Sequence, residues 1–318
     1  MPANRSVGRT VTRPVLDSEE ALMKVAITGS NGLIGSALAA ALDARGDTVL
    51  RVVRGDGVGI HWDPEHGTID AAGLDGVDAV VHLAGEGIGE KRWTPEQKQK
   101  ILDSRVKGTT LIATTIAGLE RKPAVFVSAS AIGWYGNRGD EVLTEESGPP
   151  SPDEFLAQVC REWEAATAPA ETAGIRTVHL RTGIVLSASG GALGRMLTPF
   201  KLGLGGRIAS GRQYMSWIAL EDEIGAIQHA LDNADVEGVL NATAPSPATN
   251  LEFTAALGKV LKRPTVLPTP LFPVKALYGK ELVQRLLVDG QRVLPARLEM
   301  SGYQFRYPTL EAALRAIV

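Results

Sequence analysis

Three glycines spaced G-x-x-G-x-x-G carry the first chemical signal in this chain. They lie in Gly29-Ser30-Asn31-Gly32-Leu33-Ile34-Gly35, between the apolar stretch Val25-Ala26-Ile27-Thr28 and a periodic one continued by Leu38, Ala41 and Leu42. That order reads as strand, tight loop and helix. Without a Cβ, Gly29 and Gly32 let the backbone turn sharply and let a phosphate come close. Gly35 lets the helix pack on the strand. The unpaired N–H groups and positive end of that helix then face paired phosphates, so the loop predicts a dinucleotide site. A second signal is Arg54, which ends the β-branched run Thr48–Val53. Sites for NAD place Asp or Glu roughly 20 residues beyond the glycines, on the ribose 2′-hydroxyl. A guanidinium suits a 2′-phosphate instead, so the expected cofactor is NADP(H). Asp56, two residues on, keeps NAD(H) open, and a solvated arginine at a strand end is the bland alternative.

The segments that must hold these groups alternate in type. Ala79-Val80-Val81-His82-Leu83 reads as a buried strand, and Leu83, Ala84 and Gly85 at its exit are small enough for a cofactor to approach the backbone. His82 lies inside that run, so it reads as a strand residue rather than a base. Thr94 and Pro95 suit the N-cap and first position of a helix. Arg105 lies beside the apolar face of that helix, marked by Ile101, Leu102 and Val106. It either reaches a cofactor phosphate or joins the solvated Lys98, Lys100 and Lys107. Another buried strand ends in the hydroxyls of Ser128 and Ser130, and Gly133-Trp134-Tyr135-Gly136 follows. A helix is expected from Glu154 to about Thr167, then a strand and exit loop over Arg176–Leu186.

This alternation predicts an α/β chain with a doubly wound parallel sheet of Rossmann type, built from residues 23–186 and 217–241. From Ser187 to Gly211 glycines bracket an excursion above the sheet. Residues 187–216 and 242–318 are expected to form a small substrate-side lobe. Within it, helices are expected over 251–261, 274–288 and 309–317, with an extended stretch from Pro264 to Pro273. Residues 1–22 show no apolar period and read as a disordered tail, with an organelle transit peptide the other reading.

Bulk properties narrow the function. A chain of 318 residues with net charge −3 offers no basic field for nucleic acid. Its single cysteine, Cys160, excludes an internal disulfide and a cysteine metal cluster, which fits a reducing, cytoplasmic setting. No apolar run reaches the roughly 18 residues of a membrane span, so no membrane partner is expected. Nothing in the sequence speaks to oligomeric state.

The order of motifs resembles the extended short-chain dehydrogenase/reductase superfamily, and more closely its atypical branch of epimerase family proteins. The matching stretches are Gly29–Gly35, His82–Glu86, Arg92-Trp93, Ser104–Val106, Ser128–Gly133, Arg181–Leu186 and Ser216–Ile218, with Gly290–Pro295 and Gly302–Phe305 resembling the branch's small C-terminal domain. The resemblance implies NADP(H) held by the loop Gly29–Gly35 and by Arg54, Leu83, Ala84, Arg105 and Val185. It implies a catalytic role for Ser130, hydrogen-bonding a substrate oxygen. The superfamily also uses Tyr-x-x-x-Lys on the next helix to move the proton. Aligning Glu164 with the acid that often trails that motif puts Leu156 and Cys160 at those two positions. Tyr135 is then the substitute acid, unless Gly133–Gly136 is simply a packed turn. Cys160 sits among apolar residues and makes a poor nucleophile. Two functions follow: an NADP(H)-dependent oxidoreductase or epimerase-like enzyme acting on a sugar nucleotide or carbonyl compound, or a non-catalytic nicotinamide-binding sensor or regulatory interaction protein.

Overall fold

The computed structural model describes residues 22–149 and 154–318, so the expected tail lies outside the described residues except for Leu22. The first half runs β1 (Lys24–Thr28), α1 (Leu33–Arg45), β2 (Thr48–Val53), β3 (Ile60–Asp63), β4 (Thr68–Ile69), β5 (Ala79–His82), α2 (Pro95–Ala117), β6 (Val125–Ala131), β7 (Val142–Leu143), α3 (Phe155–Ala165), α4 (Ala168–Thr172) and β8 (Arg176–Thr182). The second continues with β9 (Ile184–Leu186), α5 (Gly191–Lys201), β10 (Tyr214–Met215), β11 (Trp217–Ala219), α6 (Leu220–Asp232), β12 (Gly238–Ala242), β13 (Ala248–Thr249) and α7 (Asn250–Leu261). It ends with α8 (Leu271–Tyr278), α9 (Lys280–Val283), β14 (Arg292–Val293), α10 (Ala296–Met300) and α11 (Leu310–Ile317).

The main sheet has the order β12-β8-β6-β5-β1-β2-β3-β4, parallel throughout except for the β3–β4 pair. Strand order reverses between β1 and β5, and this reversal opens a crevice at the carboxyl edge. Alternation along each strand divides the core into two layers. Val25, Ile27, Val81, Val127 and Leu180 pack with Leu38, Leu42 and Ile227 of α1 and α6. Ala26, Val80 and Phe126 face the other way, against Ile112 and Ile116 of α2 and Ala170 of α4. These strand residues are buried on both faces, as all-parallel sheets require. Thr94 caps α2, accepting from the Gln97 N–H at 3.2 Å.

A third apolar cluster joins Leu193 and Phe200 of α5, Trp217 of β11, Phe253 and Leu257 of α7 and Leu314 of α11. The excursion after Ser187 is thus partly helical. Leu193, Leu197 and Phe200 are buried at helical spacing, and Pro199 is tolerated in the last turn. Of the strand and exit loop expected over Arg176–Leu186, the strand is β8 and the exit carries β9 beyond Gly183, where a Cβ would lie 2.5 Å from the Ser216 carbonyl oxygen. The expected helix over 274–288 is broken: Gly279, at φ +88°, divides α8 from α9, and a π turn covers Gln284–Val288. Among the described residues no helix is long and apolar enough to cross a membrane.

Candidate active site

The glycine loop closes the carboxyl end of β1. Gly29 has φ +68°, and a Cβ there would lie 2.9 Å from the Ala84 nitrogen and the Leu83 carbonyl carbon. Gly35 seats the loop on itself, because its Cβ would fall 2.3 Å from the Gly29 oxygen. Gly32 is the N-cap of α1, extended at φ −77° and without a side-chain cap. No acidic side chain lies in the first turn. The leading N–H groups of the helix, from Leu33 and Ile34, therefore have no intrahelical acceptor, the arrangement that suits helix ends to anions.

The exit of β5 is pinned to β1 by one hydroxyl. Thr28 Oγ1 accepts from the N–H groups of Leu83 at 3.1 Å and Ala84 at 3.2 Å, and lies 2.7 Å from His82 Nδ1. With two donors already on that oxygen, its own proton goes to Nδ1, leaving the His82 proton on Nε2. Burial, aided by the charge of Arg105, pushes the His82 pKa down to about 3. His82 is thus a neutral peg that shapes the crevice wall. Arg105 supports the same loop from beneath, donating to the carbonyls of Glu86 at 3.0 Å and Ile101 at 3.1 Å and lying 4.8 Å from the Trp163 ring centre. A Cβ on Gly85 would come within 3.3 Å of its guanidinium carbon.

Two arginines stand along the end of β2. Arg54 is exposed just past the strand. Arg51, opposite Ile27 in the β1–β2 register, donates from Nη1 to the Ser30 carbonyl at 3.0 Å and approaches Asn31 Oδ1 at 3.5 Å. The sequence reading passed over Arg51 because it lies inside a strand. A charge in an otherwise apolar strand three residues before Arg54 was the available signal. Val185 lies in β9, partly exposed and opposite Ile218 of β11. Residues 190–195 reach over this edge: the Leu33 side chain lies 3.4–3.6 Å from where Cβ atoms on Gly190 and Gly191 would be, and Arg195 Nη1 donates to the Gly89 carbonyl at 2.7 Å.

The ends of β6 and β8 are organised differently. Ser130 donates to Glu164 Oε1 at 2.6 Å. Arg181, paired with Ser130 in register, reaches both oxygens of Glu164 at 2.8 Å. Its Nη1 donates to the Tyr135 hydroxyl at 3.0 Å, and that hydroxyl donates to Asn241 Oδ1 at 2.8 Å. The Trp134 ring lies over the Arg181 guanidinium at 3.6 Å. Tyr135 is fully buried in a single 3₁₀ turn, Ile132–Tyr135, and burial raises its pKa. The packed-turn alternative is the one this geometry favours. Helix α3 carries neither tyrosine nor lysine, and burial pushes the Cys160 thiol up to about 12. Glu164 and Arg181, which sequence reasoning left without a role, are the centre of this network. Nearby, Glu223 at the start of α6 is fully buried, accepts from Thr182 Oγ1 at 2.7 Å, and is pushed up to about 8 by burial.

A crevice at a strand reversal, with a bare helix end and flanking arginines, defines a nucleotide-binding α/β protein. The chain belongs to the NAD dependent epimerase/dehydratase family, whose profile matches residues 25–242; residues 269–317 match a domain of unknown function (DUF1731). It is 47% identical over 293 residues to an epimerase family protein of Mycobacterium bovis, covering 91% of this chain and 96% of that one. It is similar in structure to the human epimerase family protein SDR39U1 crystallised with NADPH, at TM-score 0.86 and 38% identity over 93% of this chain and 99% of that one. A nucleoside-diphosphate sugar epimerase from Corynebacterium glutamicum matches at TM-score 0.77 and 37% identity, over 94% of this chain and 58% of that longer one.

Proposed function

We propose that this protein binds NADPH along the carboxyl edge of the sheet and uses it as an oxidoreductase or epimerase-like enzyme on a carbonyl compound or sugar nucleotide. The carrying observation is the glycine loop, whose missing Cβ atoms and unpaired N–H groups fit a pyrophosphate. The solved human relative with NADPH supports the same reading. On this proposal the Leu33 and Ile34 N–H groups of the present chain hold the phosphates, while Arg54 and Arg51 select the 2′-phosphate. Leu83, Ala84, Gly85 and Val185 line the path toward the nicotinamide. Arg105 braces the Gly85–Glu86 loop. When bound, the cofactor would supply a hydride to a carbonyl or, in its oxidised form, take one from a sugar carbon and return it. Ser130 orients the substrate oxygen from the end of β6. Tyr135 holds Arg181 and Asn241 in place rather than moving a proton.

The sensor reading keeps one specific support: the Ser130 and Tyr135 hydroxyls are already bonded to Glu164 and Asn241, and α3 offers no tyrosine or lysine. Loss of reduced-nicotinamide absorbance with a panel of carbonyl compounds, together with chromatographic detection of epimer interconversion in sugar nucleotides, which consumes no net cofactor, separates the two. The enzyme reading expects turnover that falls at least about tenfold in Ser130→Ala. Tight NADPH binding without turnover on any of them would favour the sensor.

A further inference from the structure

Helix α8 has an unusual solvent face. Phe272, Pro273, Ala276 and Leu277 are all exposed and fall on one side at helical spacing, with Phe272 84% and Leu277 69% accessible. No residue of the helix is buried. The opposite side supplies Tyr278, which packs on the cluster around Trp93 and Leu282. The outward face is therefore the apolar one, the reverse of an ordinary surface helix.

The neighbouring loops extend this face. Leu202 and Leu204 are each 69% exposed, Val266 85% and Leu267 74%. The two loops are tied together: Thr269 donates from its N–H to the Arg207 carbonyl and from Oγ1 to the Gly206 carbonyl, both at 2.9 Å. Helix α8 starts two residues after Thr269. The exposed apolar residues thus fall on segments that are hydrogen-bonded to one another or adjacent in the chain, unlike leucines scattered singly over a surface.

Its charge is one-sided. Residues 187–220 contain four basic and no acidic side chains, and residues 253–280 contain five basic and none acidic, in a chain whose net charge is −3. Lys201, Lys262, Arg263 and Lys280 border the patch and are exposed. Among the described residues none of these four has a carboxylate within ion-pair distance, whereas Lys259 is neutralised by Glu311 at 2.9 Å. A second copy of the same face would oppose cation to cation, so a two-fold contact here is disfavoured. Apolar side chains rimmed by unpaired cations match lipid headgroups that are anionic over an apolar interior.

We propose that this face, formed by the 201–206 loop, the 262–269 segment and α8, docks on the surface of an anionic bilayer. Contact is peripheral: Phe272, Leu277, Leu267 and Leu204 enter the headgroup layer and the four cations meet lipid phosphates. The expectation of no membrane partner rested on the absence of a spanning apolar run, which does not bear on peripheral contact through one face.

The test is co-sedimentation of the full chain with vesicles of phosphatidylcholine alone or with about one-third phosphatidylglycerol. The expected result is binding to the mixed vesicles only, reduced by salt. Phe272→Ser with Leu277→Ser should lower it about tenfold, and Lys262→Glu with Arg263→Glu should remove its salt dependence. These residues are exposed, and unchanged circular dichroism and NADPH affinity show that the variants are folded. No binding to the mixed vesicles, or binding indifferent to the Phe272/Leu277 change, overturns the proposal. Equal capture by soluble polyglutamate overturns it in favour of an acidic protein partner. A concentration-dependent dimer abolished by Phe272→Ser and Leu277→Ser overturns it in favour of self-association.

Discussion

The two ends of the crevice treat their polar groups in opposite ways. At β1, β2 and β5 the leading N–H groups of α1 and the Arg54 side chain are left open, and Arg51 commits only Nη1 to the loop. At β6, β8 and α3 the polar atoms are spent on one another, from Ser130 through Glu164, Arg181 and Tyr135 to Asn241. Unsatisfied donors beside a crevice are costly unless a ligand meets them, whereas a satisfied buried network makes one arrangement rigid. On the proposed reading the first end meets the cofactor, and the second holds Ser130 and its neighbours in position. Substitutions in the two ends should accordingly separate binding from stability.

The largest effect is expected at Gly35. Gly35→Ala places a Cβ against the Gly29 carbonyl, a backbone atom that cannot move aside alone. NADPH affinity should fall by at least about a hundredfold, read by fluorescence titration. Retained affinity would mean that the loop is not the phosphate cradle. Next comes Glu164→Ala, which leaves Arg181 buried without its counter-charge. Urea unfolding should show a loss of about 3–5 kcal/mol. In the folded variant NADPH affinity should change by less than about threefold, and a larger change would erase the distinction between the two ends.

Two buried groups give the stability a pH dependence on each side. For His82 the folded pKa of about 3 lies below the ordinary 6.5. Its contribution is therefore complete above pH 6.5 and is lost as pH falls toward 3, amounting to about 5 kcal/mol at most. For Glu223 the folded value of about 8 lies above the ordinary 4.5. Its contribution is complete below pH 4.5 and is lost as pH rises toward 8. Melting temperatures across this range should flatten on the acid side in His82→Asn and on the alkaline side in Glu223→Gln. Unaltered slopes would contradict the assigned burial. The smallest effects are expected at β2: Arg54→Ala should cut the preference for NADPH over NADH about tenfold or more, and Arg51→Leu about threefold to tenfold, by competition dialysis. Equal loss of both cofactors in either variant would place that arginine elsewhere on the nucleotide.

Much of this was legible in sequence because it rests on local rules. The glycine loop, the strand–helix alternation and the cap at Thr94 follow from periodicity and turn chemistry. Helix α5 was hidden because Pro199 and flanking glycines masked the period of Leu193, Leu197 and Phe200. The Glu164–Arg181 pair was hidden for a different reason. It joins residues 17 positions apart, on a helix and a strand, and only the β6–β8 register brings Ser130 to it. The sequence reading put Leu271–Pro273 in an extended stretch and began the helix at Val274, whereas α8 starts at Leu271, with an outer side that none of the described residues buries.

Calorimetric titration of the unmodified chain with NADPH and NADH, side by side, bears most directly on the cofactor crevice. One site per chain is expected, with NADPH the tighter ligand and the difference removed by Arg54→Ala. Absence of heat and of displacement with both nucleotides, or equal affinity for the two in the unmodified chain, would contradict the account.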